Sequence, residues 1–350
     1  MRSAKTVLLG IGVLCCFPAV ARPQRLELDS QFEAPGKNAG YWANWDAIQE
    51  RLVFHRDVDD PALPAVRVVD HLGKSLALYP GRDFSGSHHV DIWDAKGAPD
   101  GDIVISAIVA YGPRNRAPIP TKLLLLTYDS AGTLRRVWDV KPYHHHLITI
   151  DSAGDVFAFG HSDSTSGNVP LIVKYSPQGE VLKEFLRANL LPMGAGAVEA
   201  HSNTGETQMF VKDNRLILYI APTQELFTFS LEGDLLTRMQ LSTTFGRVAQ
   251  LTESAAVQSF EFGIDSNQHI IAQVRLYPKD RAKPSSLALI RIAPDGSFVS
   301  ATPPVAGKND EHEFLGLTKT GAPVYLELSN KGSLMVDLNK HYELPWLKCI

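Results

Sequence analysis

The chain has 350 residues, 44% of them hydrophobic and 21% charged, with a formal net charge of −4 at pH 7. These are ordinary values for a globular protein with a large core. No basic run and no aromatic-interleaved basic patch is present, which excludes nucleic acid as the expected partner.

The opening segment, MRSAKTVLLGIGVLCCFPAVARPQ, has the form of a secretory signal. Arg2 and Lys5 make a positive head, Thr6 to Phe17 an apolar middle, and Ala19-Val20-Ala21 a small-residue cleavage site. The apolar run is too short for a comfortable membrane span, and no later stretch is long enough. The mature chain is therefore expected to be exported, periplasmic or secreted, without a transmembrane segment. Lipidation of Cys15 or Cys16 is the competing reading. It is disfavoured because Leu14-Cys15-Cys16 lacks the small residue expected just before a lipidated cysteine. Loss of residues 1–21 leaves Cys349 as the only cysteine, so no intrachain disulfide can form. Residues 22–350 are read as one domain held by core burial, and as a monomer.

Internal repetition decides the fold class. Five segments share an apolar run, a polar turn with glycine, and a second apolar run: RVVDHLGKSLALY, LTYDSAGTLRRVW, VKYSPQGEVLKEF, FTFSLEGDLLTRM and IRIAPDGSFVSA. LMVDLNKHYELPW is a degenerate sixth copy. A second hairpin series interleaves with the first: WDAKGAPDGDIVIS, ITIDSAGDVFAFG, MFVKDNRLILYI, FGIDSNQHIIAQV and LGLTKTGAPVYLEL, with a weaker first member, WDAIQERLVFH. Two hairpins per unit make four strands. Such units repeated about six times are the signature of a β-propeller, in which each blade is completed by its neighbours. The expected fold is all-β: a six-bladed β-propeller of four-stranded antiparallel blades around a central channel. The blades begin near Gly40, His88, His144, Gly205, Gln258 and Glu311. No long stretch shows a clear helical period. VLKEFLRANLLP is read as an outer strand followed by one helical turn. Arg25 to Asp29 could add a strand to the last blade, or Tyr342 to Leu347 could supply that strand alone.

The pattern in LITIDSAGDVFAFG and PLIVKYSPQGEVLKEF resembles the six-bladed NHL and TolB-like β-propellers. Their blades carry a D-x-x-G-x-(apolar) inner hairpin and an (aromatic)-x-x-x-G-x-(apolar) outer hairpin. The resemblance implies architecture and no particular activity, because propellers host scaffolds, receptors and enzymes alike. Trp45-Asp46, Trp93-Asp94 and Trp138-Asp139 do not match seven-bladed WD40 repeats. The first two are placed at first-hairpin turns and the third at the end of an outer strand.

Strands run a to d from the channel outward, so the a–b and c–d turns share one face and the b–c loops and d–a links share the other. The long connections, 55–64, 111–120, 161–170 and 277–286, all fall on the second face. Loops on a rigid scaffold are where binding usually lives. Aligning Ile150 with Trp93 and its counterparts places His88-His89, His144-His145-His146 and His312-Glu313 where innermost strands begin, around the channel mouth. His201 lies in the link into blade four. Strand alternation allows His144 and His146 to act together and turns His145 away.

Three readings of this ring stay open. A divalent metal, zinc or calcium, would take His89, His146, His201, His312 and Glu313 as ligands. The peptidylglycine amidating lyases are similar in position, since they hold zinc through histidines of different blades. A ligand rim without metal would use Tyr41, His88, His89, Arg114, Arg116, His144, His161 and Arg281, with Trp42 and Trp45 available for stacking. The third reading is structural, with each histidine satisfying a nearby backbone group. Asp91, Asp94, Asp100 and Asp102 crowd blade two, where Asp94 and Asp100 are read as turn residues. No nucleophile elbow or phosphate loop is present, and Cys349 is too isolated to serve as a nucleophile. The expected function is binding or scaffolding for a peptide, carbohydrate or protein partner. The alternative is a metal-dependent lyase or hydrolase.

Overall fold

The computed structural model describes residues 25–27, 42–70, 74–114, 119–162, 169–191, 207–306, 312–318, 321, 323–328, 334–337 and 347–348. The signal-like segment 1–21 and Cys349 lie outside the described residues. Among those described, no helix is long and apolar enough to cross a membrane.

The chain is a β-propeller with four-stranded antiparallel blades. Strand β1 (Arg25–Glu27) comes first. Blade one is β2 (Trp42–Asp46), β3 (Arg51–His55), β4 (Val66–Asp70) and β5 (Ser75–Leu78), and the short helix α1 (Pro80–Asp83) follows it. Blade two is β6 (His89–Gly97), β7 (Ile103–Ala110), β8 (Thr121–Tyr128) and β9 (Leu134–Asp139). Blade three is β10 (Tyr143–Ile150), β11 (Val156–Ser162), β12 (Pro170–Tyr175) and β13 (Val181–Arg187). Blade four is β14 (Gln208–Lys212), β15 (Arg215–Ile220), β16 (Glu225–Ser230) and β17 (Leu235–Gln240). Helix α2 (Ser242–Leu251) leads into blade five, β18 (Ser254–Ile264), β19 (Ile270–Pro278), β20 (Ser286–Ile292) and β21 (Phe298–Ala301). Strand β22 (Val305–Ala306) adds to β20.

Counted as four consecutive strands, the blades number five, not the six expected. The remaining sheet is composite. It joins β23 (His312–Leu317), β24 (Pro323–Leu328) and β25 (Leu334–Asp337) to β1, with Arg25 opposite Asp337. The pairing expected for the Arg25 segment is therefore present. Strand β26 (Leu347–Lys348), from the other candidate segment, pairs instead with β21 of blade five.

The middle strands are apolar on both faces, as in Leu123 to Leu126 of β8, all buried. One sheet cannot hide two such faces, so the core lies in layers between neighbouring blades. Val53, Val66 and Leu78 of blade one meet Ile103, Ile105 and Tyr128 of blade two. Phe157, Ile172 and Phe185 of blade three meet Leu218, Phe227 and Phe229 of blade four. Ile271 and Leu289 of blade five meet Phe314 and Tyr325 of the composite sheet. The Trp45 Nε1–H of blade one donates to the Leu317 carbonyl of that sheet at 3.2 Å.

Turn chemistry explains the repeated D-x-x-G pattern. Asp151 Oδ1 accepts from the backbone N–H groups of Ala153 and Asp155 at 2.9 and 3.0 Å. This side chain closes the turn in place of a backbone carbonyl. The c–d turn glycines have a second role in docking. Gly179, at φ +87°, packs so closely on Trp138 of the preceding blade that a Cβ would lie 2.4 Å from its ring. Gly233 sits on Phe185 in the same way.

Three expectations need correction. Trp93-Asp94 lies inside β6, not at its turn. Helix α2 was not foreseen, because its apolar Phe245 and Val248 pack on blade five within a segment rich in Ser, Thr and Gly. The third concerns register. Strand β6 bulges between Ile92 and Asp94, and β10 between His145 and Leu147. Both strands then run from Asp94 to Gly97 and from Leu147 to Ile150 before their turns. His146 is therefore the counterpart of Trp93, not of His89, and His144 is the counterpart of Asp91. Strand β23 bulges between Phe314 and Gly316, so Glu313 shares the register position of Asp91 and His144. The outer strand and helical turn expected for VLKEFLRANLLP are present as β13 and a 3₁₀ turn over Ala188–Leu190.

Gly179→Ala combines a left-handed backbone with a collision against Trp138. It should destabilise the fold by about 2 kcal/mol or more. Chemical denaturation of the variant measures this.

Candidate functional site

The inner strands enclose a cavity of about 1100 Å³. Trp42, Asp57, Asp91, Trp93, Asp94 and His146 line the side formed by blades one to three. The β3–β4 loop reaches this end through Asp57, and Arg114 reaches it from the segment after β7.

Asp94 is the hub below the mouth, only 3% exposed. The bulge at Trp93 aims its carboxylate between blades. Its Oδ1 accepts from Asn44 Nδ2 of blade one at 3.0 Å and from the Ala95 N–H at 2.9 Å. Its Oδ2 accepts from the Ile148 N–H of blade three at 2.9 Å. The Lys96 ammonium is 3.4 Å from Oδ1 and donates to Asn44 Oδ1 at 2.5 Å. One buried carboxylate thus fastens three blades, with its charge met by hydrogen bonds and an ammonium. His55 Nε2 lies 3.9 Å from Asp94 Oδ1. Burial pushes the His55 imidazole down to about 4, despite the attraction of Asp94, so this contact is not an ion pair near neutral pH.

A second group sits at the rim. Asp57 Oδ1 accepts from the Ile92 N–H at 2.9 Å, clasping the β3–β4 loop to blade two. Arg114 donates through Nε to Asp59 Oδ1 at 2.6 Å and through Nη2 to Asp91 Oδ1. His89, buried, places Nε2 3.9 Å from Asp91 Oδ2. Arg114 and His89 thus stand behind Asp91. Burial, reinforced by the Asp91 charge, raises the Asp57 carboxyl to about 6.

The third group is an imidazole stack. Trp93 and His146 are parallel at 4.1 Å between ring centroids. His161 stacks on His144 at 4.7 Å and on His146 at 5.0 Å, and His146 Nε2 lies 2.9 Å from His161 Nδ1. His144 and His146 share one side of the strand. His145 turns away into the core, where Nε2 is 2.7 Å from Tyr175 Oη and its carbonyl accepts from Ser106 Oγ at 2.5 Å. Burial and the neighbouring imidazoles hold His145 down at about 3.

The structure therefore brings His89, Arg114, His144, His146 and His161 to one end of the channel. Of these, His146 itself lines the cavity. His88 is exposed and contributes its backbone N–H to Ala110. Arg281 is exposed in the β19–β20 loop and does not line the cavity. Tyr41, Arg116 and His201 lie outside the described residues. So do the side chains of His312 and Glu313, whose backbone pairs with Glu327 and Leu326. Among the described residues no group of three or more His, Cys, Asp or Glu side chains is disposed to hold a metal. The reading of Asp94 as a turn residue is overturned by its place inside β6 at the bulge, whereas Asp100 does cap its turn, accepting from the Asp102 N–H at 3.0 Å. His55, Asp57 and Trp93 are the further site residues that sequence reasoning missed. Only the Asp-rich surroundings of Asp57 in HRDVDDPALP hinted at a role.

No family model and no curated protein matches the chain. Solved structures do. A member of the DUF4221 family from Bacteroides vulgatus aligns with a TM-score of 0.51 at 11% identity, over 89% of this chain and 94% of that one. XC5397 from Xanthomonas campestris, a gluconolactonase, aligns with a TM-score of 0.44 at 11% identity, over 94% and 97%. The Dos1 propeller aligns with a TM-score of 0.43 at 9% identity, over 92% and 73%. At such identities the likeness shows the fold alone.

Asp94→Ala strands Lys96, Asn44 and the Ile148 N–H at once. It should cost about 3 kcal/mol by denaturant titration. His55 and His145 have folded pKa values below their ordinary 6.5, so the unfolded chain binds more protons in acid. The two imidazoles should make stability fall as pH drops from 6.5 towards about 4, an effect partly offset by Asp57, whose raised carboxyl takes up its proton first in the folded state. His145→Gln should flatten that slope, as read from thermal melts across the range.

Proposed function

We propose that the protein is an exported binding protein whose channel mouth takes a carbohydrate. The carrying observation is the presence of the Trp42 and Trp93 indoles with the Asp57 and Asp91 carboxyl groups in one cavity. Trp42 is 46% exposed beside His55, and Trp93 is half-buried and backed by His146. Asp57 and Asp91 line the same space. A pyranose has an apolar C–H face that lies on an indole ring and hydroxyl groups that donate to carboxylates. The β3–β4 loop, which brings Asp57 to the cavity, supports the same reading. Export is supported by the positive head, apolar middle and Ala-Val-Ala of the first residues. The composite sheet, with β1 paired to β25, supports a ring of six blades closed by strands from both ends of the chain.

Screening the purified mature chain on a glycan array and then by calorimetry tests the reading. Trp93→Ala should weaken binding at least tenfold, about 1.4 kcal/mol. An array without a bound glycan, or an unchanged affinity in Trp93→Ala, would overturn it. Capture of a peptide in competition with no glycan would move the function to a peptide partner.

A further inference from the structure

We infer that Asp57 and Asp91 form an acid–base pair that hydrolyses a glycosidic bond of the bound carbohydrate, an activity that rests on the carbohydrate reading above. Both carboxyl groups line the cavity that holds Trp42 and Trp93. They are tied together, since Asp57 Oδ1 accepts the N–H of Ile92, the residue after Asp91. Their electrostatic surroundings differ. The Arg114 guanidinium is divided between Asp59 and Asp91. Among the described residues no ion pair reaches Asp57.

The groups facing Asp57 are Asp59 on its own loop, Asp91 on β6 and Arg114 from the β7–β8 loop. Burial and the charge of Asp91 outweigh Arg114, and Asp57 is raised to about 6. Asp57 is thus held as a proton donor beside Asp91, which Arg114 pairs. That division of labour is what acid–base cleavage of an acetal requires. Asp57 gives its proton to the glycosidic oxygen as the C1–O bond breaks and the electron pair leaves with the oxygen. Asp91 takes a proton from a water molecule whose oxygen forms the new bond to C1. Asp91 then releases its proton to solvent and Asp57 regains one, so a single water is consumed and both groups are restored.

The test uses the full mature chain with a panel of para-nitrophenyl α- and β-pyranosides, each followed both by calorimetry and by nitrophenol release. At least one glycoside should be bound and cleaved. Asp57→Asn keeps the oxygen that accepts the Ile92 N–H, and Asp91→Asn leaves Arg114 its bond to Asp59, so both variants should fold, as checked by thermal melts. Each should lower kcat by about 100-fold or more, a loss larger than the accompanying rise in KM. Activity should fall as pH rises through about 6, where Asp57 loses its proton. Binding without cleavage across the panel would overturn the acid–base pair and leave the binding function standing. Absence of both would remove the carbohydrate reading as well. Cleavage that survives both asparagine variants would mean that other groups act.

Discussion

A four-stranded sheet with two apolar faces can be buried only between two other sheets. Everything else in this molecule follows from that constraint. The apolar layers run between blades, so no blade is a folding unit by itself. Polar groups on the inner strands have to span the same gaps. Asp94 does so between blades two and three, Gln208 accepts the Phe262 N–H between blades four and five, and Gln273 accepts the Phe314 N–H beyond blade five. These clasps recur because a bulged inner strand leaves a backbone N–H without a partner in its own sheet.

The bulges are also what make the site. A regular strand alternates its side chains, whereas a bulge re-aims one of them. Trp93 and His146 occupy bulges on adjacent blades, and the result is a parallel indole–imidazole pair at the channel. The position two residues earlier holds Asp91 and His144, at the rim. Scaffold and site thus share one device, and Asp94, immediately after the first bulge, fastens the scaffold beside the site.

Architecture was legible in the sequence because turn chemistry is local. Asp151 and Gly154 make their turn whatever the distant chain does, and each hairpin repeats the signal. The histidine side of the site was legible in part, since His144 and His146 act together and His145 does not. The register across blades was not. A bulge adds a residue without leaving a mark in the local composition, so alignment by turns slid His146 onto His89 instead of Trp93. Asp94 and Asp57 were hidden for a related reason. An aspartate beside glycine reads as a turn residue, and only the fold reveals which backbone N–H it meets. The blade count failed at the end of the chain, where the final sheet takes β1, from far away in sequence, as its fourth strand.

That borrowed strand has a consequence for the order of assembly. Arg25 lies opposite Asp337, so nearly the whole chain separates the two halves of one ladder. Strand β1 leaves the ribosome before any of the blades and finds its place after them. Until β25 has been synthesised, β1 has no sheet to join, and the five consecutive blades can stack only as an open arc. The arc leaves apolar faces bare at both ends. The interval between the emergence of blade five and the joining of β1 to β25 is therefore the stage of synthesis at which this chain is most exposed to aggregation.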